Sequence, residues 1–299
     1  MTPAPRRNLL FSLALLPALW LAAGALVSHR LVTRPEPRLA RLDPPGGLAR
    51  APGFEEVALR TADGETVLAW LADPAVGEDP VTVLFLHGNG GSRRSHGPLL
   101  HEALARGLGL CVLGLRAHEA SSGRTNDFGW SAREDVLAAV EHLERTRPGQ
   151  RIALFGTSLG AAAAIYAADR LEGRVDAFVL EAPYRSVEDA ARDRCALVLP
   201  PLVDRLAFLA LRVTFPAFVE VGVEALRPVE RMESFSAPQR VLLLGATDDP
   251  RVPVEDLHEL ARRCVHAEVE LRTFATASHA ALAREFPVEL ADAIVHALR

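Results

Sequence analysis

Gly156-Thr157-Ser158-Leu159-Gly160 follows the apolar run Ile152-Ala153-Leu154-Phe155 and opens the alanine-rich stretch from Ala161 to Ala168. A serine with glycine two residues away on either side, between a strand-like run and a helix-like one, predicts a sharp turn that pushes the Ser158 hydroxyl out of a sheet. Glycine at those two places keeps Cβ atoms from crowding the bend. The pattern is that of a nucleophile elbow. Alone it is weak, because a small-residue loop packing a strand against a helix gives the same letters. Its surroundings decide the reading.

On both sides of the elbow, strand-like and helix-like segments alternate. Residues 81–86, 110–115, 152–155, 175–180, 241–244 and 268–274 read as buried strands. Residues 99–108, 132–143, 159–171, 254–263 and 288–298 read as helices, with Val136, Leu137, Val140 and Leu143 at the i, i+1, i+4, i+7 spacing of a helix laid on a sheet. Upstream, residues 56–60 and 66–72 flank Asp63-Gly64, a hairpin turn pair. Alternating βα units predict an α/β fold, a mainly parallel sheet with helices on both faces.

Composition narrows the function. A chain of 299 residues, 49% hydrophobic and 24% charged, can bury a full core. Its net charge of -5, with no sustained basic stripe, argues against a nucleic-acid partner. Every basic side chain other than histidine is arginine, so no Schiff base and no Ser-Lys dyad can form. Cys111, Cys195 and Cys264 are too few and too scattered for a disulfide framework or a zinc site, and no histidines show the HExxH spacing, so no metal is expected.

The N-terminus reads as a separate element. Arg6 and Arg7 precede an apolar run over residues 9–27 that is interrupted only by Ser12, Pro17 and Gly24. Its 19 residues approach the roughly 20 of a spanning helix. They exceed the about 7 to 15 of a signal-peptide core, although Ala23-Gly24-Ala25 resembles a cleavage site. A single-pass N-terminal membrane anchor over residues 1–30 is the preferred expectation, with secretion after signal cleavage as the alternative. Arg30, Arg34, Arg38 and Arg41 outnumber Arg6 and Arg7, which would keep the following domain cytoplasmic; the export-like start points the other way. Residues 31–53, rich in proline and glycine, read as a linker to a domain over 54–299. Within that domain, residues 186–236 interrupt the alternation, and the apolar stretch 197–211 suggests a small helical lid. Phe208, Phe215 and Phe218 are candidates to line an acyl pocket beneath it, against the plainer alternative of a helix pair completing the core.

The region from about residue 54 onward resembles the α/β-hydrolase superfamily, especially its membrane-anchored, esterase-like serine hydrolases, with a tail similar to that of prolyl-oligopeptidase-type enzymes. The motifs that carry the resemblance are His87-Gly88-Asn89-Gly90-Gly91, Arg116-Ala117-His118-Glu119-Ala120-Ser121-Ser122-Gly123, the Ser158 elbow, Asp249-Pro250-Arg251-Val252-Pro253 and Ser278-His279. Nucleophile, acid and histidine then occur in that family's order. The resemblance implies Ser158 as nucleophile and His279 as its base. Among competing histidines, His142, His258 and His296 fall on amphipathic helices, and His87 and His118 within loop motifs. Asp249, aligned by its Pro-Arg-Val-Pro tail, is the preferred acid; Asp248 and Glu181 are alternatives. The backbone N–H groups of Asn89 and Leu159 are the expected oxyanion donors. Glu119 stands where related sequences often have glycine, and Gly114 where an aspartate is common.

The reading is therefore a serine hydrolase of carboxylic esters, with thioesters or amides as further substrates, acting on a small-molecule or lipid-like acyl substrate without a cofactor. The alternatives are a peptidase of the same fold, which would need an exclusion domain that about 50 residues before the first strand cannot supply, and a catalytically silent membrane-tethered binding protein.

Overall fold

The computed structural model describes residues 6–34, 42–276 and 278–299. Eight strands, β1 (Glu55–Arg60), β2 (Thr66–Ala72), β3 (Val81–Leu86), β4 (Gly109–Gly114), β5 (Arg151–Thr157), β6 (Ala177–Glu181), β7 (Arg240–Ala246) and β8 (Glu268–Phe274), form one sheet. Its order is β1-β2-β4-β3-β5-β6-β7-β8. Only β2 runs against its neighbours, pairing antiparallel with both β1 and β4. The Asp63-Gly64 turn closes the β1–β2 hairpin with Arg60 opposite Thr66, and Gly64 takes the positive φ of 95° that the turn requires.

Among the described residues ten α-helices accompany the sheet: α1 (Arg6–Val32), α2 (Gly97–Ala105), α3 (Arg133–Thr146), α4 (Leu159–Ala167), α5 (Val187–Val198), α6 (Val203–Thr214), α7 (Pro228–Arg231), α8 (Val254–Arg263), α9 (Leu282–Glu285) and α10 (Pro287–Ala297). Parallel strands need crossovers, and the crossover helices cover both faces. On one face Val136, Leu137, Val140 and Leu143 of α3 pack with the alanines of α4 and with Leu257 and Leu260 of α8. On the other, Leu99 and Leu100 of α2 meet Leu290 and Ile294 of α10. The central strands β3 and β5 are buried along almost their whole length, which is why they read as unbroken apolar runs.

The stretch 186–236 is helical, as its composition suggested. Pro200-Pro201 breaks it into α5 and α6, since proline cannot continue the ladder of α5. Ser186 caps α5 by accepting the Asp189 N–H at 3.0 Å. Phe215 and Val219 pack with Tyr166, Tyr184 and Val187 into a satellite core that also takes in Val32.

The apolar run at the N-terminus is helical, but its second half leans on the domain. Trp20 donates its indole N–H to the Leu206 carbonyl at 3.0 Å, and Ser28 and Thr214 share a hydrogen bond of 2.9 Å. The shared spacing makes α1 and α6 a parallel pair. They touch closely at Gly24, where a Cβ would stand 2.8 Å from that of Ala210. Among the described residues no helix is long and apolar enough to cross a membrane; residues 1–5 and the side chains of 6–15, part of the expected anchor, lie outside the description. Of the stretch expected as linker, residues 35–41 also lie outside it. Residues 42–53 carry Leu48, 2% exposed, into the core beside α2.

Candidate active site

The bend at Ser158 is built by its neighbours. Ser158 has φ 50° and ψ -106°, a backbone conformation that costs a residue with a side chain about 1–3 kcal/mol and persists only where the surroundings hold it. The Ser158 N–H donates to the Glu181 carbonyl at 2.8 Å. The flanking glycines allow the first turn of α4 to press onto the sheet: a Cβ on Gly160 would lie 2.4 Å from the Leu86 carbonyl oxygen, and one on Gly156 would lie 2.8 Å from the Ala161 nitrogen. The serine consequently stands at the carboxyl end of the central strands, where open α/β sheets form their binding crevice.

His279 and Asp249 meet over this edge. Nδ1 of His279 lies 2.8 Å from Oδ2 of Asp249, and the two side chains are only 12% and 2% exposed. A carboxylate can only accept, so Nδ1 carries the proton and Nε2 is left with a free lone pair. The other oxygen of Asp249 accepts the N–H groups of Arg251 and Val252 at 2.8 and 3.1 Å, which fixes the carboxylate for the imidazole. Asp248 faces elsewhere, accepting the Thr247 hydroxyl at 3.0 Å. Among the described residues Ser158 Oγ makes no hydrogen bond to His279; in resting sites of this kind that bond commonly tightens only around substrate.

Glu181 is buried beneath the elbow, and among the described residues no hydrogen bond joins it to the imidazole. Its two oxygens accept the Leu282 N–H and the Thr157 hydroxyl, each at 2.8 Å. Burial raises its pKa, and the hydrogen bonds from the Leu282 N–H and the Thr157 hydroxyl oppose that shift. Thr157 spends its proton on Glu181, so it accepts from Nε2 of His96 at 3.0 Å. Burial pushes His96 down to about 3, which keeps that ring neutral. This chain of His96, Thr157 and Glu181 braces the strand that carries the serine. No sequence pattern marked His96, because its partner lies 61 positions away.

The loop after β3 supplies the second side of the site. A Cβ on Gly88 would be 3.7 Å from that of Ser158, so the loop passes in contact with the elbow. Neither the Asn89 N–H nor the Leu159 N–H has a hydrogen-bond partner among the described residues. Two buried imidazoles hold this loop. His87 donates from Nδ1 to the Gly88 carbonyl at 2.9 Å and accepts the Leu115 N–H at 3.1 Å. His118 donates to the Arg116 carbonyl at 2.9 Å and accepts the Gly90 N–H at 3.1 Å. Burial pushes both down to about 4, consistent with rings that must stay neutral to accept.

Two contacts here were not legible in the sequence. Arg34, just past α1, donates to the Asn89 side-chain oxygen, which also accepts from Asn126 at 3.0 Å. The same segment pairs with the chain near β4: Arg34 N–H to the Arg124 carbonyl and Asn126 N–H to the Val32 carbonyl, both at 2.7 Å. The departures at 114 and 119 each meet a specific neighbour. Glu119, at φ 51°, holds the fully buried Arg93, whose Nε lies 2.9 Å from its carboxylate. A Cβ on Gly114 would come 3.2 Å from the Ser121 hydroxyl oxygen, tighter than ordinary contact, so the Ser121 side chain would have to give way to a larger residue there.

A cavity of about 370 Å³ opens beside His279, between Ser95, Arg251, Ser278 and Arg284. The three phenylalanines proposed to line a pocket are not among its walls. Phe208 lies under Arg192, Phe215 packs on Phe128, and Phe218 packs on His29.

The sheet, the elbow and the matched pattern together define the class. The chain belongs to the alpha/beta hydrolase fold family, which it matches over residues 81–234, just over half its length. It is 28% identical over 232 residues to the uncharacterized protein Rv2307c of Mycobacterium tuberculosis, covering 77% of this chain and 73% of that one. It is 26% identical over 140 residues to protein bem46 of Schizosaccharomyces pombe, covering 46% of each. Among solved structures, the esterase Pf2001 of Pyrococcus furiosus has a TM-score of 0.72 at 22% identity, covering 89% of this chain and 97% of that one. At that identity the likeness is one of fold.

Proposed function

We propose that the protein is a serine hydrolase that cleaves carboxylic esters through an acyl-enzyme on Ser158. The observation that carries this is the His279–Asp249 hydrogen bond of 2.8 Å, made on the sheet edge where the strained Ser158 stands. Ser158 Oγ attacks the ester carbonyl while its proton passes to His279 Nε2. The new oxyanion is held by the N–H groups of Asn89 and Leu159, which among the described residues have no other partner to give up. Collapse of the intermediate breaks the ester C–O bond, and His279 returns the proton to the departing alkoxide. Water, deprotonated by the same imidazole, then releases the acid and restores the hydroxyl. Asp249 orients the ring and stabilises its charged form. Thioesters and amides enter by the same steps.

The esterase among the structural neighbours supports an ester as the acyl substrate. The apolar α1 favours attachment of the protein to a membrane surface, and with it a lipid-like acyl substrate. A fluorophosphonate probe tests the chemistry. Ser158 should be labelled in the wild type and labelling should vanish in Ser158→Ala; a folded wild type that takes no label would contradict the proposal.

A further inference from the structure

Among the described residues fifteen large apolar side chains are exposed, and twelve of them fall in two segments, residues 16–27 and 197–213. These segments are the parallel pair α1–α6 and the end of α5. Monomeric surfaces seldom gather exposed apolar groups in this way without something to cover them.

On α6, Leu206, Leu209 and Val213 follow the spacing i, i+3, i+7 and make one exposed stripe that Leu202 continues just before the helix. One side of the stripe is closed by α1 through Gly24 and Ala210. The other is edged by Arg205 and Arg212, both exposed, with Arg212 3.3 Å from Glu188 of α5. On α1, residues 16–27 contain one hydrogen-bonding side chain, Trp20, and its N–H is already given to Leu206. Leu16, Leu19, Leu26 and Val27 are exposed around the remainder of that helix. At the carboxyl end of the pair stand His29 and Arg30, exposed, with Asp204 the one acid on α6 and at its opposite end.

We infer that α6 and α1 together form a lipid-contacting face, which lies in the plane of one leaflet of an anionic bilayer. An apolar stripe edged by arginines is the pattern of a helix whose apolar side sinks about 5–10 Å while its cations meet lipid phosphates. A second copy of the chain would cover one side of α1 and leave the others wet; lipid covers them all. The inference rests on the membrane attachment of α1 proposed above and adds α6 as the second contact. It also places the site: the pair ends at residues 32–34, which hold the Asn89 loop, so an acyl chain could pass from the leaflet toward Ser158 without crossing bulk water.

The full-length protein should float with vesicles of phosphatidylcholine containing phosphatidylglycerol. The double variant Leu206→Asp/Leu209→Asp, altered only at exposed positions, should partition at least tenfold more weakly and still hydrolyse a soluble acetyl ester at the wild-type rate. Equal partitioning of variant and wild type would overturn the role of α6 and leave attachment through α1 standing. No flotation of the wild type would remove both. Absence of flotation, with a dimer in light scattering that the variant converts to monomer, would assign the face to a second copy instead.

Discussion

The guanidinium of Arg34 donates to the side-chain oxygen of Asn89, which ties the chain just after the first helix to the loop offered as half of the oxyanion site. Asn126 shares that oxygen, so the Asn89 backbone is held from two sides. Arg34 acts through Asn89 rather than on substrate. Losing a whole oxyanion donor costs on the order of 100 to 1000-fold in rate, and loosening one costs less. Arg34→Ala should lower kcat on a soluble ester by roughly tenfold with KM little changed, and Arg34→Lys should restore part of it. An unchanged kcat would show that the loop is fixed without this contact.

The adjacent aspartates should differ sharply. Asp249→Asn leaves His279 facing an amide that cannot stabilise a charged ring, and comparable changes in serine hydrolases cost about four orders of magnitude in kcat. Asp248, whose carboxylate faces Thr247, should tolerate the same change with activity within about threefold. Steady-state kinetics of the two variants check the assignment; equal losses would contradict it.

At Glu119 two effects compete. Glycine would relieve the left-handed backbone, a gain of about 1 kcal/mol. It would also leave the backbone N–H and the Nε of Arg93 without their acceptor, at about 1–3 kcal/mol for each buried donor, while Glu56 at 2.9 Å still neutralises the guanidinium. The loss wins. Glu119→Gly should unfold at lower urea, whereas Glu119→Gly/Arg93→Met, with no guanidinium left to satisfy and Glu56 partly open to solvent, should recover part of the difference.

Acid should weaken the fold through the buried histidines. His87 and His118 sit near 4 and His96 near 3, all below the roughly 6.5 of an unfolded chain. Their contribution is complete above about pH 6.5 and is lost as pH falls toward 4, because the unfolded chain then binds protons that the folded one refuses. Asp135, pushed up to about 6 by burial, and Glu181, Asp193 and Asp256, also raised by burial, work in the opposite sense over part of that window and make the fall shallower, whereas Asp63, held down to about 2 by its hydrogen bond to Arg116, adds to it. Urea midpoints should therefore be flat above pH 7 and fall from about pH 6.5 downward, with a shallower slope in His118→Gln. A midpoint constant to pH 4.5 would refute the argument.

Much of this arrangement could be read in the chain because its causes are local. The sheet was visible because β3 and β5 are buried on both faces, and α3 because its stripe repeats with the helical period. The glycines around Ser158 were legible because the bend that needs them spans five residues. Local reading failed where distance intervened. Asp248 and Asp249 are adjacent in the chain, and only the folded position of an imidazole 30 residues later separates them. Arg34 reaches a loop 55 positions away from a proline-rich segment with no period, and Arg93 gives no hint that Glu119 will hold it. The phenylalanines of 208–218 showed apolar character truthfully, but apolar character does not say whether ring or ligand is the neighbour.

The bend at Ser158 also sets evolution a choice between endurance and work. Its left-handed backbone is unfavourable for serine and neutral for glycine, so Ser158→Gly, which abolishes any chemistry at that position, should melt at a higher temperature than the wild type. A lineage that abandoned turnover at this position would be drawn toward that gain in thermal resistance.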